Sequence, residues 1–146
     1  IGYNFTVTQA ELVTVATPTA ENSTDSAAGN VATNTLNITV KNTGVAPCFF
    51  DVYLVAEFVD STGVSLAQIG ESVRIPKGTF KDGAVQEFSF SGALPAGEAK
   101  LATQPGVSVA LSLYESEDAF KNGENPTVRF DNDGLQENNK LLLKSR

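Results

Sequence analysis

The stretch Cys48–Asp60, Cys-Phe-Phe-Asp-Val-Tyr-Leu-Val-Ala-Glu-Phe-Val-Asp, constrains the fold more than any other part of the chain. Its alternate residues Phe50, Val52, Leu54, Ala56 and Phe58 are all apolar, the pattern of a strand that lays one face on a core. The opposite face carries Phe49, Tyr53, Val55 and Val59, interrupted only by Asp51 and Glu57. A solvated antiparallel sheet needs one apolar face. A strand apolar on both faces is therefore central and covered twice, by its own fold or by another chain. If another chain is the cover, Phe49, Tyr53, Val55 and Val59 are subunit-interface residues.

Much of the remaining sequence repeats the period of two. Ile1–Thr8 sets Ile1, Tyr3, Phe5 and Val7 on one face and Gly2, Asn4, Thr6 and Thr8 on the other. A second apolar piece, Leu12–Ala16, stops before Pro18, so residues 1–17 read as one long strand or as two. Residues 18–34 are small, polar and aperiodic, as in a surface loop. Thr35–Lys41 points Leu36, Ile38 and Val40 inward and ends in Asn42-Thr43-Gly44, read as a turn because Asn and Gly accept positive φ. Asp60–Gly63 is the next turn, and the period breaks near Gly70, as at a bulge. Ala84–Ser91 turns Phe88 and Phe90 inward, and Val107–Tyr114 does the same with Val107, Val109, Leu111 and Leu113. A helical turn is expected at Asp118–Lys121, then strands at Thr127–Phe130 and Leu141–Leu143 joined across Asp131–Gly134. About seven to nine strands with frequent turn signals predict an all-β fold, a single antiparallel sandwich of jelly-roll or Ig-like type. Residues 18–146 form the sandwich domain in this reading, and residues 1–17 are N-terminal strand supplied to it or to a neighbour.

Composition removes several function classes. Ten basic and seventeen acidic residues give a net charge of −7, which disfavours nucleic acid. The chain has no histidine and a single cysteine, Cys48. It therefore lacks a Ser-His or Cys-His pair, a zinc site or an internal disulfide, and reads as a non-enzyme. Cys48 is either a small buried hydrophobe or one half of an intermolecular disulfide. No run of about 18 apolar residues predicts membrane insertion, and a start at Ile1 without a basic leader reads as a processed or truncated chain.

Asn4, Asn22 and Asn37 each begin an Asn-x-Thr or Asn-x-Ser/Thr sequon and are glycosylation candidates, although a chain this rich in Asn and Thr produces such triplets by chance as well. Glu115, Glu117, Asp118 and Glu124, followed by Asp131, Asp133 and Glu137, offer hard oxygen ligands of the kind calcium takes. Solvated loop charge is the other reading of these acids. No further cofactor is expected.

Asn37-Ile38-Thr39-Val40-Lys41-Asn42-Thr43-Gly44, followed by the long apolar strand, Asp60-Ser61-Thr62-Gly63 and a Phe-rich strand, resembles the V-x-V-x-N-T-G pattern of extracellular Ig-like adhesion modules. It is similar also to TasA and camelysin-type jelly-roll fibre proteins, with their archaeal bundling-pilin relatives, and more distantly to archaellum sandwich proteins. The fibre resemblance implies a homopolymer on the cell surface or in a biofilm, in which an N-terminal strand completes the sheet of the next subunit. Ile1, Tyr3, Phe5 and Val7 are the anchors for that donation. The adhesion resemblance implies instead a secreted or surface-bound binding module using Phe49, Tyr53, Val55 and Val59.

Overall fold

The structure, a computed structural model, describes residues 4–18, 30–44, 50–81, 83–94, 105–132, 135–136 and 138–143. In chain order its elements are β1 (Phe5–Pro18), β2 (Asn30–Asn42), β3 (Val52–Val59), β4 (Ser65–Gln68), β5 (Val73–Ile75), β6 (Val85–Leu94), β7 (Ser108–Tyr114), α1 (Glu117–Lys121) and β8 (Leu141–Leu143). They form the expected all-β sandwich. One antiparallel sheet has the order β1-β2-β6, and the other runs β4-β3-β7-β8 with β5 also paired to β3. Among the described residues no helix is long and apolar enough to cross a membrane.

The central strand behaves as its two apolar faces require. β3 pairs with β4 and β5 along one edge and β7 along the other. Its residues Val52, Leu54, Ala56 and Phe58 meet Leu36, Ile38, Val40 and Phe90 of the facing sheet in one core, joined by Leu111 and Leu113 of β7. The Asp60–Gly63 turn is fixed by the Asp60 carboxylate, which accepts from Thr62 N at 2.8 Å, Thr62 Oγ1 at 2.6 Å and Val64 N at 3.0 Å. The Thr62 hydroxyl is the main group holding that carboxyl below its ordinary range. The turn is thus firmest above the ordinary carboxylate pKa and loosens as pH falls.

Three local expectations change. Residues 5–18 are one strand, but a bulge between Val7 and Gln9 changes the side that packs on the core from Phe5 and Val7 to the face of Ala10, Leu12 and Thr14, of which Leu12 is half-buried against it. Val13 and Val15 consequently face out, 41% and 54% exposed. β2 starts at Asn30, inside the stretch read as loop, because β1 continues to Pro18 and offers it a ladder. Thr127–Phe130 forms only isolated bridges, Val128 to Leu113 and Phe130 to Phe5, and so ties the edge of one sheet to the edge of the other.

The sheets also touch backbone to backbone. A Cβ on Gly92 of β6 would lie 2.8 Å from Gly70 N, in the bend between β4 and β5, and one on Gly70 would lie 3.0 Å from Ser91 N. The break of period at Gly70 is therefore a close approach of chains as well as a bend. Gly92→Ala is expected to cost about 2–3 kcal/mol by forcing the backbones apart. Gly78→Ala, with φ +83 and nothing within 4 Å of its Cβ, should cost only about 1 kcal/mol. Urea unfolding of the two variants separates these outcomes.

Candidate functional site

Asn4–Val7 occupies the junction between the sheets and is hydrogen-bonded on both sides. Toward β2, Asn4 N donates to Asn42 Oδ1 at 3.1 Å and Thr43 N donates to Asn4 O at 2.8 Å. Toward the other sheet, Asp131 N donates to Phe5 O at 2.7 Å. The Asn132 side chain accepts from Val7 N at 2.9 Å and donates to Val7 O at 3.0 Å. An Asn side-chain amide carries one acceptor and one donor group, so Asn132 acts toward Val7 as a strand neighbour would. Phe5 fills the gap beneath, fully buried, its ring set edge-on to Phe80 at 5.1 Å. Val7 is half-buried against the same core.

Asn42 organises this seat. It is fully buried, and its Oδ1 accepts from Asn4 N and from Gly44 N at 2.9 Å, while Nδ2 donates to Phe80 O at 3.2 Å. Its backbone completes the junction with Ala84 O and Gly83 N. Neither Asn42 nor Gly44 has positive φ. Asn42-Thr43-Gly44 therefore does not turn the chain into a hairpin; β2 and β3 lie in different sheets, and Asn42 is needed for its side-chain amide. Its place at the end of an alternating strand was visible in sequence. Its partners, close to 40 residues away, were not.

The second face of β3 is covered by its own chain. Val55 and Val59 have no exposed surface, and Tyr53 is half-buried. Tyr114, beside Tyr53, packs on Phe120 of α1 at 5.5 Å. Glu57, a buried charge in that face, is 3% exposed and meets Lys140 Nζ at 3.1 Å. The ladder that pairs Leu111 with Leu141 brings Lys140 alongside β7, one position on from Leu141, while Glu57 lies across from small Ala110 of the same strand, within reach of the lysine. Burial pushes the Tyr114 phenol up, and the Glu57 charge adds to this. A charge in an apolar strand calls for a buried partner, but nothing in the sequence pointed to Lys140. As Val55 and Val59 are internal, the proposed adhesive face is not free in the folded chain.

The other candidates are dispersed. Glu115 accepts from Thr127 Oγ1 at 2.8 Å, and Glu117 accepts from Ser72 Oγ at 2.8 Å while facing Lys121 at 3.8 Å. Asp118 lies in α1 and Asp131 at the Phe5 junction. Among the described residues no three acidic or cysteine side chains are grouped to hold a metal, so the expected calcium cluster does not assemble from Glu115, Glu117, Asp118 and Asp131. Glu115 and Glu117 are thus engaged by hydroxyl and lysine partners on separate elements. Asn4 and Asn37 are exposed, Asn37 on the outer face of β2. Ile1, Tyr3, Asn22, Cys48, Phe49 and Asp133 lie outside the described residues.

Asn42→Ala would strand the Asn4, Gly44 and Phe80 backbone groups together, and a loss of about 3 kcal/mol or more is expected. Hydrogen exchange at the Phe5 and Val7 amides should quicken in the same variant, and more than at the β3 amides. Glu57→Gln leaves Lys140 without its buried counter-charge and should cost about 3 kcal/mol. Arg74→Ala, which breaks the exposed Asp51–Arg74 pair, should leave the midpoint nearly unchanged in the same thermal or urea assay.

Compared with protein-family models, curated proteins and solved structures, the chain matches none.

Proposed function

We propose that this chain is a structural subunit of an extracellular filament on the cell surface, a pilus or biofilm fibre of the TasA and camelysin kind, without enzymatic activity. Subunits join by strand exchange, with Asn4–Val7 of one copy entering the seat formed by Asn42, Phe80, Phe130 and Asn132 of the next. The observation that carries this reading is the double-sided bonding of Asn4–Val7 between the two sheets, set off from the rest of β1 by the bulge at Val7/Gln9.

The seat is built from residues distant in sequence from the segment it holds. Any copy of Asn4–Val7 therefore finds the same contacts there, and cis and trans occupancy differ only in the hinge and in the entropy of association. The hold is also modest. Burying Phe5 contributes about 2–3 kcal/mol, and the five junction hydrogen bonds about 1 kcal/mol each beside the short run of ladder pairing from Phe5 to Val7, against an ordering cost of about 1–2 kcal/mol for each of four residues. These terms leave the segment within a few kcal/mol of release, with Phe5 the one fully buried core residue that it carries away. The bulge supplies the hinge, since residues beyond Gln9 keep their own ladder to β2. The exposed sequons at Asn4 and Asn37 are compatible with a secreted glycoprotein.

A chain lacking residues 1–8 should remain folded but lose several degrees of thermal stability, and a synthetic peptide spanning Ile1–Gln9 should restore it. The intact chain should form filaments that the peptide caps. Filaments of unchanged geometry from the truncated chain, seen by electron microscopy, would refute strand exchange through this segment.

A further inference from the structure

We propose that the free edge of β1 pairs antiparallel with the same edge of a second copy, about a two-fold axis at Thr14. β1 is an edge strand, and past the bulge no described residue pairs with its open side. From Ala10 to Pro18 it is regular, unbroken in register, and has no lysine or internal proline, the devices that ordinarily blunt such an edge. Its open backbone is a template for another strand, and its exposed Val13 and Val15 are apolar surface with no cover.

The partner and the register follow from the sequence of the edge. An axis at Thr14 overlaps Ala10–Pro18 along its whole length and sets Val13 of each copy opposite Val15 of the other. Leu12 then faces Ala16, and Glu11, the only charge in the stretch, faces Thr17. The two Glu11 carboxylates stand about 20 Å apart along the strands, beyond the screening length of about 8–10 Å. Moving the axis to Val13 instead puts each Val15 against a Glu11, so the valines and the charge both favour Thr14. The product is a continuous six-stranded sheet, β6-β2-β1 from one copy running into β1-β2-β6 of the other. A two-fold closes on itself and stops at two. It uses residues 10–18, not Asn4–Val7, and does not depend on strand exchange.

Because each copy carries a net charge of −7, backbone bonds and valines must bring the copies together against mutual repulsion, and the pairing should tighten as salt is raised. The test uses the full chain with Cys48→Ser, with excess Ile1–Gln9 peptide present to cap any end-to-end growth, so that the β1 edge is read by itself. Sedimentation velocity is expected to show a dimer favoured by high salt. Thr14→Cys should cross-link under mild oxidation, since directly opposed residues fall within disulfide reach, whereas Val13→Cys should cross-link far less. Val15→Lys changes an exposed position, leaves the circular dichroism spectrum intact and should raise the dimer dissociation constant at least about tenfold. A chain that stays monomeric at high salt and near-millimolar concentration overturns the proposal. So does a dimer indifferent to Val15→Lys, or one that cross-links through Val13→Cys in preference to Thr14→Cys.

Discussion

Burying β3 on both faces is the constraint that the rest of the architecture serves. One face demands the β1-β2-β6 sheet, whose Leu36, Ile38, Val40 and Phe90 complete the core. The other face demands a second cover, supplied by α1 and the chain around Lys140. A charge within that second face, Glu57, is tolerable only because Lys140 is delivered to it at 3.1 Å with both groups withdrawn from water. The ion pair specifies how the C-terminal part of the described chain lies against β7.

Two sheets packed face to face leave their edges open, and here one junction is sealed by a thin strip rather than by a full strand. Val128 and Phe130 reach from β7 to Phe5, and Asn42 and Asn132 supply side-chain amides where ladder bonds would otherwise end. A seal made of few contacts is easily opened, which is why the proposed exchange is located there, at the short end of the β1–β2 ladder before the bulge, and not in the long run beyond it. The bulge after Val7 separates two behaviours within one strand: residues before it pair with β2 and also bond to the opposite sheet's junction, while residues after it pair with β2 alone among the described residues.

The same bulge has a second effect, on the outer surface. By changing which residues face inward it exposes Val13 and Val15, and it leaves the following stretch straight and regular. In the proposed assemblies the part of β1 before the bulge links subunits end to end, and the part after it joins them side by side. A filament with both contacts would be laterally paired, with the acidic remainder of each subunit in solvent.

The period of two determined much of this protein. It marked β3 as central and covered twice, turned Leu36, Ile38, Val40, Phe88, Phe90, Leu111 and Leu113 inward, and required an all-β sandwich, because alternation is a local consequence of strand geometry. Composition, in turn, left no histidine and one cysteine for chemistry. What only the tertiary structure decided was every feature that depends on residues meeting across the sheets. Asn42 reads as a turn residue in sequence and becomes a buried hub when Asn4 and Phe80 converge on it. Val13 and Val15 read only as part of an apolar piece, and the one-residue bulge decides that they face out; of the two readings of the acids, cluster or solvated charge, the described residues show no grouping of three. Local pattern fixes which residues need burial; hydrogen-bond partners and ladder register are set by chain segments tens of residues away, and no local pattern encodes them.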